Sequence, residues 1–193
     1  LQRLDKAMAK DKQHDIYLLQ RFTGARQQEV AGLRRCDFVM KKGHRCITIT
    51  PHEDRGMGTD GEAGGIKTTN SIRYIPLPTV LNTVWERCHS ESKTPAFART
   101  EKEKAFGENY RRRAWDRAKQ ASVPTGTHAM RDTVHQTLID DGVTSDVVKM
   151  VTGKELSISD YLHANLDNMK LAVERFAELR PLDLGEESEC LTV

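Results

Sequence analysis

One stretch, from Thr127 to Tyr161, constrains this chain more than any other. It reads THAMRDTVHQTLIDDGVTSDVVKMVTGKELSISDY. His128 and Arg131 are three positions apart on what the spacing predicts to be one helix, so both side chains project from the same face. Both side chains can donate hydrogen bonds to one ligand. The ligand that they share is therefore expected to be anionic.

The rest of this stretch has a defined order. The first predicted helix turns at Gly142, and a second short helix follows, with an apolar set at Val147, Val148 and Val151. A break is predicted at Thr152-Gly153-Lys154, because glycine readily ends a helix. Beyond this break the chain reaches Tyr161.

A second basic position lies near the start of the chain. An apolar helical repeat over residues 16–22 ends at Gly24, and Arg26 stands at the start of the next predicted helix. Backbone N–H groups at a helix start add to a side-chain cation in favouring a phosphate. Taken alone, the same pattern also fits an exposed helix-cap arginine that pairs with Glu29.

The side-chain pattern in the middle of the chain predicts β-strands. Residues 46–50 alternate apolar and polar side chains, as a half-buried strand does. Residues 51–65 contain five glycines and no apolar period, so we expect a long surface loop. Residues 66–78 predict two short strands around a Thr-Asn-Ser turn, with Lys67 on the first.

Three further helices are predicted. Residues 78–89 form one, with buried side chains at Val80, Leu81 and Val84. Residues 107–121 form a basic helix that carries Arg111, Arg112, Arg113, Arg117 and Lys119. Residues 166–179 form the last, with a buried stripe at Met169, Ala172, Val173 and Phe176.

Together these motifs resemble the catalytic domain of tyrosine recombinases, the phage-integrase family. Residues 23–38 are similar to the first arginine box of that family, with Thr-Gly-x-Arg followed by Glu29. The pattern Lys-Thr-x-x-x-x-Arg-x-Ile-Pro-Leu from Lys67 is similar to its β-hairpin lysine box. The resemblance covers residues 16–163.

The resemblance implies a role for each matching residue. Tyr161 would attack the scissile phosphate and form a 3′-phosphotyrosine linkage, and His128 would help to remove the phenol proton. Arg26 and Arg131 would clamp the non-bridging oxygens. Lys67 would protonate the departing 5′ oxygen. Neither a cofactor nor a metal ion is expected.

Two positions depart from the family pattern. Lys154 stands where the family usually has His or Trp, and we expect it to donate to a phosphate oxygen as part of a competent variant site. Asp132 stands where the family often has His, which alters the hydrogen bonding expected around Arg131. His135 lies on the face of His128, although a helix histidine is more often structural.

The expected fold class is α+β, mainly α-helical, with a small antiparallel sheet or β-hairpin. Residues 1–180 would form the catalytic domain and 181–193 an acidic C-terminal tail. Because the chain begins with Leu, we expect a fragment that lacks an N-terminal core-binding domain.

Composition adds little to this prediction. Lys plus Arg number 30 and Asp plus Glu 28, so the net charge of +2 does not itself predict nucleic acid. The four cysteines lack zinc-like spacing and are expected to be reduced thiols. No signal peptide or membrane span is predicted, so we expect a cytoplasmic, DNA-associated protein.

The expected partners follow from the resemblance. They are double-stranded DNA, contacted in part by Arg111, Arg112 and Arg113, and other copies of the chain. These copies would form a tetramer on synapsed DNA, with the C-terminal segment docking in trans. Two other functions remain open: DNA relaxation as in type IB topoisomerases, and DNA binding by a non-catalytic relative.

Overall fold

The computed structural model describes residues 2–11, 13–50, 72–97, 107–123, 127–154 and 165–184, apart from the side chains of 127 and 128. Among these residues, five helices and three strands precede the segment from Thr127. They are α1 Gln2–Met8, α2 His14–Thr23, α3 Gln27–Ala31, β1 Phe38–Lys41, β2 His44–Ile49, β3 Arg73–Pro76, α4 Asn82–Cys88 and α5 Glu108–Gln120. Three helices follow: α6 Thr127–Asp140, α7 Ser145–Thr152 and α8 Leu166–Leu179. Two short 3-10 turns, Arg35–Asp37 and Thr79–Leu81, precede β1 and α4.

A glycine at the end of α2 determines how closely this helix packs against α6 and α7. Gly24 ends this helix in the left-handed region, at φ 62°, and its N–H donates to the Gln20 carbonyl over 2.9 Å. A Cβ at Gly24 would lie 3.1 Å from both Thr152 Cγ2 and Val134 Cβ. The absence of a side chain therefore lets the end of α2 approach α6 and α7 closely.

The three strands form an antiparallel sheet in the order β1-β2-β3. Phe38, Ile47 and Ile75 lie opposite one another across the sheet, and all three are buried. The sequence analysis predicted β2 and β3 but not β1. The sequence signal for β1 was Gly43, because glycine favours the positive φ of a two-residue hairpin turn. In the structure Lys42 and Gly43 have φ of 48° and 80°.

The helices enclose one apolar core that includes the inner face of the sheet. α2 packs on α6, α6 on α7, and α8 on both α7 and β3. The predicted stripe of α8 is buried, and Phe176 meets Phe22 edge to face with ring centroids 6.2 Å apart. The predicted α7 residues Val147, Val148 and Val151 are also buried.

The prediction for residues 78–89 was wrong at Val80. Leu81 and Val84 are buried, but Val80 is 44% exposed. The reason is local geometry, since Val80 lies in the 3-10 turn Thr79–Leu81, where the spacing of an α-helix does not apply.

Residues after α8 lie against the first two helices. Arg21 forms a buried ion pair with Asp5, with Nη2 2.8 Å from Oδ2, and the Tyr17 hydroxyl donates to the same carboxylate. Arg21 Nη2 also donates to the Pro181 carbonyl over 3.2 Å, and Lys6 lies 3.3 Å from Asp183. The start of the segment predicted as a tail is thus held by its own chain.

Cys36, Cys46 and Cys88 are free thiols, and Cys190 lies outside the described residues. Burial raises the pKa of the Cys46 thiol to about 12 and that of Cys88 to about 11. None of the helices described is long and apolar enough to cross a membrane.

Candidate active site

A buried carboxylate, Glu29, organises the candidate site. It lies on α3, whose first residue is preceded by Arg26 as N-cap. The Arg26 backbone N–H donates to Glu29 Oε2 over 2.7 Å, and Arg26 Nη1 donates to Oε1 over 3.0 Å. This local geometry fixes both the helix start and the arginine beside it.

Glu29 also binds a second arginine from the sheet. Arg73 Nη1 donates to Oε1 over 3.2 Å and Nη2 donates to Oε2 over 3.0 Å. Burial alone would raise the pKa of Glu29, but Arg73, and to a smaller extent Arg26, lower it to about 2. The carboxylate therefore remains ionised at neutral pH and couples α3 to β3.

Arg73 connects this pair to the end of α7. Its Nη2 donates to the Thr152 carbonyl over 3.3 Å. Gly153 follows with φ 69°, and a Cβ on it would lie 2.5 Å from Nη2 and 2.7 Å from Nη1 of Arg73. The predicted helix break at Gly153 is confirmed, and its cause is now clear: the guanidinium occupies the place of a side chain.

Arg131 is the second arginine predicted to bind an anion. The residue is only 7% exposed, and its guanidinium makes no hydrogen bond to the residues that the structure describes. Burial lowers the pKa of Arg131 to about 10, with a contribution from Arg26 that Glu29 partly offsets. Its guanidinium carries five N–H donors that no described residue accepts. This position is thus suited to an anionic ligand.

The predicted site residue Lys154 lies beside this arginine. Its Nζ is 3.3 Å from Oδ1 of Asp132, the residue that follows Arg131 on α6. The backbone just before Lys154 is also held, because Arg73 binds the Thr152 carbonyl and its guanidinium lies against Gly153. Among the described residues, Arg26, Arg73, Arg131 and Lys154 outnumber the carboxylates Glu29 and Asp132 that pair with them or offset their repulsion.

Of the six predicted catalytic residues, the structure places Arg26 and Arg131 close enough for mutual repulsion, and Lys154 at Asp132, the residue after Arg131. His128 lies in α6, three residues before Arg131 as predicted, but its side chain lies outside the described part of the chain. Lys67 and Tyr161 also lie outside the described residues.

Solved structures share this arrangement of elements. The chain superposes on the Tn1549 transposon integrase in complex with circular intermediate DNA with a TM-score of 0.61 and 20% identity, covering 90% of this chain and 64% of that one. It superposes on the XerH site-specific recombinase bound to palindromic difH substrate with a TM-score of 0.54 and 16% identity, covering 92% and 49%. The chain has the catalytic-domain fold of tyrosine recombinases. It spans less than two thirds of the length of these proteins.

No protein-family model matches the chain, and a search of curated proteins found no match. The predicted fold class, mainly helical with a small antiparallel sheet, is confirmed by the structure and by these neighbours.

The tyrosine-recombinase fold leaves the basic helix α5 on the surface. Its buried side is formed by Tyr110, Ala114 and Ala118. Arg111 and Arg112 are exposed, whereas Arg113 is half-buried and lies 4.0 Å from the Asp11 carboxylate. Arg111 and Arg112 are therefore better placed than Arg113 to contact a binding partner.

Sequence reasoning missed the role of Arg73. The residue was quoted within the lysine-box pattern, but no function was assigned to it. A signal was available, because Arg73 alternates with Tyr74 along a strand and so shares a side with Ile75 and Leu77, which are buried. A charged residue on the buried side of a strand requires a buried partner.

Proposed function

We propose that this chain is the catalytic part of a site-specific DNA recombinase, an integrase that cleaves and rejoins DNA through a 3′-phosphotyrosine intermediate. The observation that carries the proposal is Arg131, a residue only 7% exposed whose guanidinium makes no hydrogen bond to the described residues and lies close enough to Arg26 for mutual repulsion. The recombinase fold supports it, because the two similar structures are of an integrase and a site-specific recombinase, both in complex with DNA.

The ligand of this site would be a phosphodiester. Its two non-bridging oxygens match two guanidinium groups, which bind planar or branched oxyanions through paired N–H donors. Arg26 and Arg131 come from different helices, so they can approach the phosphate from two sides. Charge on these oxygens grows in the transition state, and fixed donors stabilise it there most strongly.

The remaining roles are part of the same proposal. The Tyr161 oxygen attacks phosphorus, and the bond from phosphorus to the 5′ oxygen breaks. His128 assists the loss of the phenol proton, while Lys67 gives a proton to the departing 5′ oxygen. Rejoining is the reverse reaction, with a 5′ hydroxyl of the new strand as the nucleophile. Lys154 donates to a phosphate oxygen.

Recombination also requires a duplex and several protomers. Arg111 and Arg112 on the exposed side of α5 are available for phosphate contacts, which position a duplex without reading its sequence. Integration or excision of a phage or mobile element would proceed on a tetramer that holds two DNA sites, with the C-terminal segment docking in trans. The chain would act in the cytoplasm on host DNA.

The decisive experiment traps the covalent intermediate. The chain is incubated with DNA duplexes that carry candidate sites and a nick close to the expected cleavage position. After cleavage, the short fragment between that position and the nick, which carries the free 5′ hydroxyl, diffuses away. We expect protein joined to a DNA 3′ end. A 5′ linkage, or no linkage with any duplex that the chain binds, would contradict the proposal.

A second assay separates recombinases from topoisomerases. A recombinase joins two different duplexes and its yield depends on the presence of both sites. A type IB topoisomerase relaxes a supercoiled plasmid without a second site. Relaxation of any supercoiled plasmid without joined products would favour the topoisomerase function.

A further inference from the structure

The two positions at which the sequence departs from the recombinase pattern meet in space. Lys154 follows the C-terminal glycine of α7, and Asp132 lies in the first half of α6, 22 residues earlier. Their charged atoms are 3.3 Å apart, close enough for an ion pair. Neither the helix register nor the sequence separation requires this contact.

The contact is supported from both sides by buried structure. The backbone before Lys154 is held by Arg73, which binds the Thr152 carbonyl and fills the space beside Gly153. Asp132 is adjacent to the buried Arg131. The pair therefore joins the end of α7 to α6 at the residue that follows Arg131.

The charges explain why a carboxylate is needed here. Arg131 already experiences repulsion from Arg26 and Arg73, and Glu29 and Asp132 are the anions that offset it. An ammonium group added without a partner would increase this repulsion and turn towards solvent, since its stem is flexible. An ammonium has three N–H donors, so one can bind Asp132 while two remain for a phosphate oxygen.

We infer that Asp132 is a positioning residue that holds the Lys154 ammonium at the phosphate site, and that the two form one functional unit. Asp132 itself does not contact the phosphate, because two anions would repel each other. This inference rests on the proposed function for the phosphate donor, and it adds a residue that the sequence pattern did not assign.

A double-mutant cycle on the cleavage rate tests the inference. Asp132→Ala should slow single-turnover cleavage at saturating protein by about fivefold, the upper end of what a partly exposed ion pair contributes. In the Lys154→Ala background, Asp132→Ala should have no further effect, because the residue on which it acts is gone. Asp132→Glu should restore much of the parental rate.

DNA binding provides the readout that a structural defect would not reproduce. Removing a negative charge near the phosphate should leave non-covalent DNA binding equal or tighter, while cleavage becomes slower. Asp140→Ala is the matched control, since Asp140 is an exposed carboxylate on the same helix, paired with Gln136 over 2.7 Å. It should leave the cleavage rate unchanged.

The outcomes distinguish this inference from the proposed function. Suppose that the parent cleaves DNA while Asp132→Ala slows cleavage equally in the parent and in the Lys154→Ala variant, or in neither. In that case the positioning role is wrong and the recombinase function stands. If Asp132→Ala weakens DNA binding and cleavage together, its effect is structural and the inference fails. If the parent forms no 3′ linkage with DNA that it binds, the proposed function is wrong, and so is the positioning role of Asp132 that depends on it.

Discussion

The Arg73 guanidinium occupies the space that a side chain at Gly153 would need. A Cβ there would lie 2.7 Å from Arg73 Nη1 and closer still to Cζ, at a backbone φ of 69°. This approach places the residue after the glycine, Lys154, beside the candidate site. The helix break of α7 is thus part of the architecture of the site and not only the end of a helix.

Gly153→Ala should lower both stability and cleavage. The left-handed backbone costs any residue with a Cβ roughly 1–2 kcal/mol, and displacement of the Arg73 guanidinium adds roughly 1–3 kcal/mol of overpacking. Gly43→Ala is the control, because Gly43 has φ 80° but no atom lies within 4 Å of the place that its Cβ would take. Denaturant unfolding measures both variants, and an equal loss in the two would contradict the packing argument.

Arg73→Met should destabilise the chain strongly. It leaves Glu29 ionised and buried without its two hydrogen bonds from the Arg73 guanidinium, and a broken buried pair costs roughly 3–5 kcal/mol. Adding Glu29→Gln should recover part of the loss. Arg87→Met provides a surface comparison, since Arg87 pairs with Asp15 over 2.6 Å while more than half exposed, and it should lose about 1 kcal/mol or less. Similar losses for Arg73→Met and Arg87→Met would argue against a buried pair.

Stability should fall in acid partly through Glu29. Its pKa is about 2 in the folded chain and 4.5 for the free group, so the folded state favours the ionised form. The resulting contribution is fully present above pH 4.5 and is lost as the pH falls towards 2. The gap in the free energy of unfolding between the parent and Glu29→Gln should therefore narrow over this interval. A gap that is constant with pH would contradict the assignment.

Arg131→Met should separate function from stability. Replacing a buried cation that repels its neighbours by an apolar side chain should leave the free energy of unfolding equal or raise it, by roughly 1 kcal/mol or more. Cleavage should fall about a hundredfold or more. Inorganic sulfate should raise the Tm of the parent more than that of the variant. Near-parental cleavage, or an undiminished response to sulfate, would show that the anion binds elsewhere.

Tyr161→Phe should remove covalent attachment and leave non-covalent DNA binding within a small factor of the parent. Only the hydroxyl is lost, and clamping by Arg26 and Arg131 does not require it. Tyr74→Phe is the control, because Tyr74 is 38% exposed and should not alter attachment. Mapping the DNA-linked peptide after protease digestion tests the assignment. A linkage to Tyr74 or to a serine would overturn the mechanism.

The buried tyrosines are poor competitors for the role of nucleophile. Burial is the main cause that raises the pKa of Tyr17 and of Tyr110 well above the ordinary value. Tyr17 donates to Asp5, and Tyr110 donates to Gln20 over 2.9 Å. Both hydroxyls therefore serve the core, and neither is available to a DNA phosphate.

The sequence by itself determined the elements that depend on local chemistry. The apolar stripes predicted α2, α7 and α8, and the glycines predicted the ends of α2 and α7, because side-chain periodicity and positive φ act within one or two helical turns. The resemblance predicted the fold class and placed Arg26 and Arg131 in one site. Periodicity failed at Val80, where a 3-10 turn replaced a helical one.

Only the tertiary structure decided what surrounds these arginines. The Glu29–Arg73 ion pair joins residues 44 positions apart, and the Lys154–Asp132 pair joins residues 22 positions apart. No local pattern records such contacts, because they arise from the way in which the sheet and α6 and α7 pack on the core. The low exposure of Arg131, at 7%, is also a property of packing, since the same residue on an exposed helix would extend into solvent.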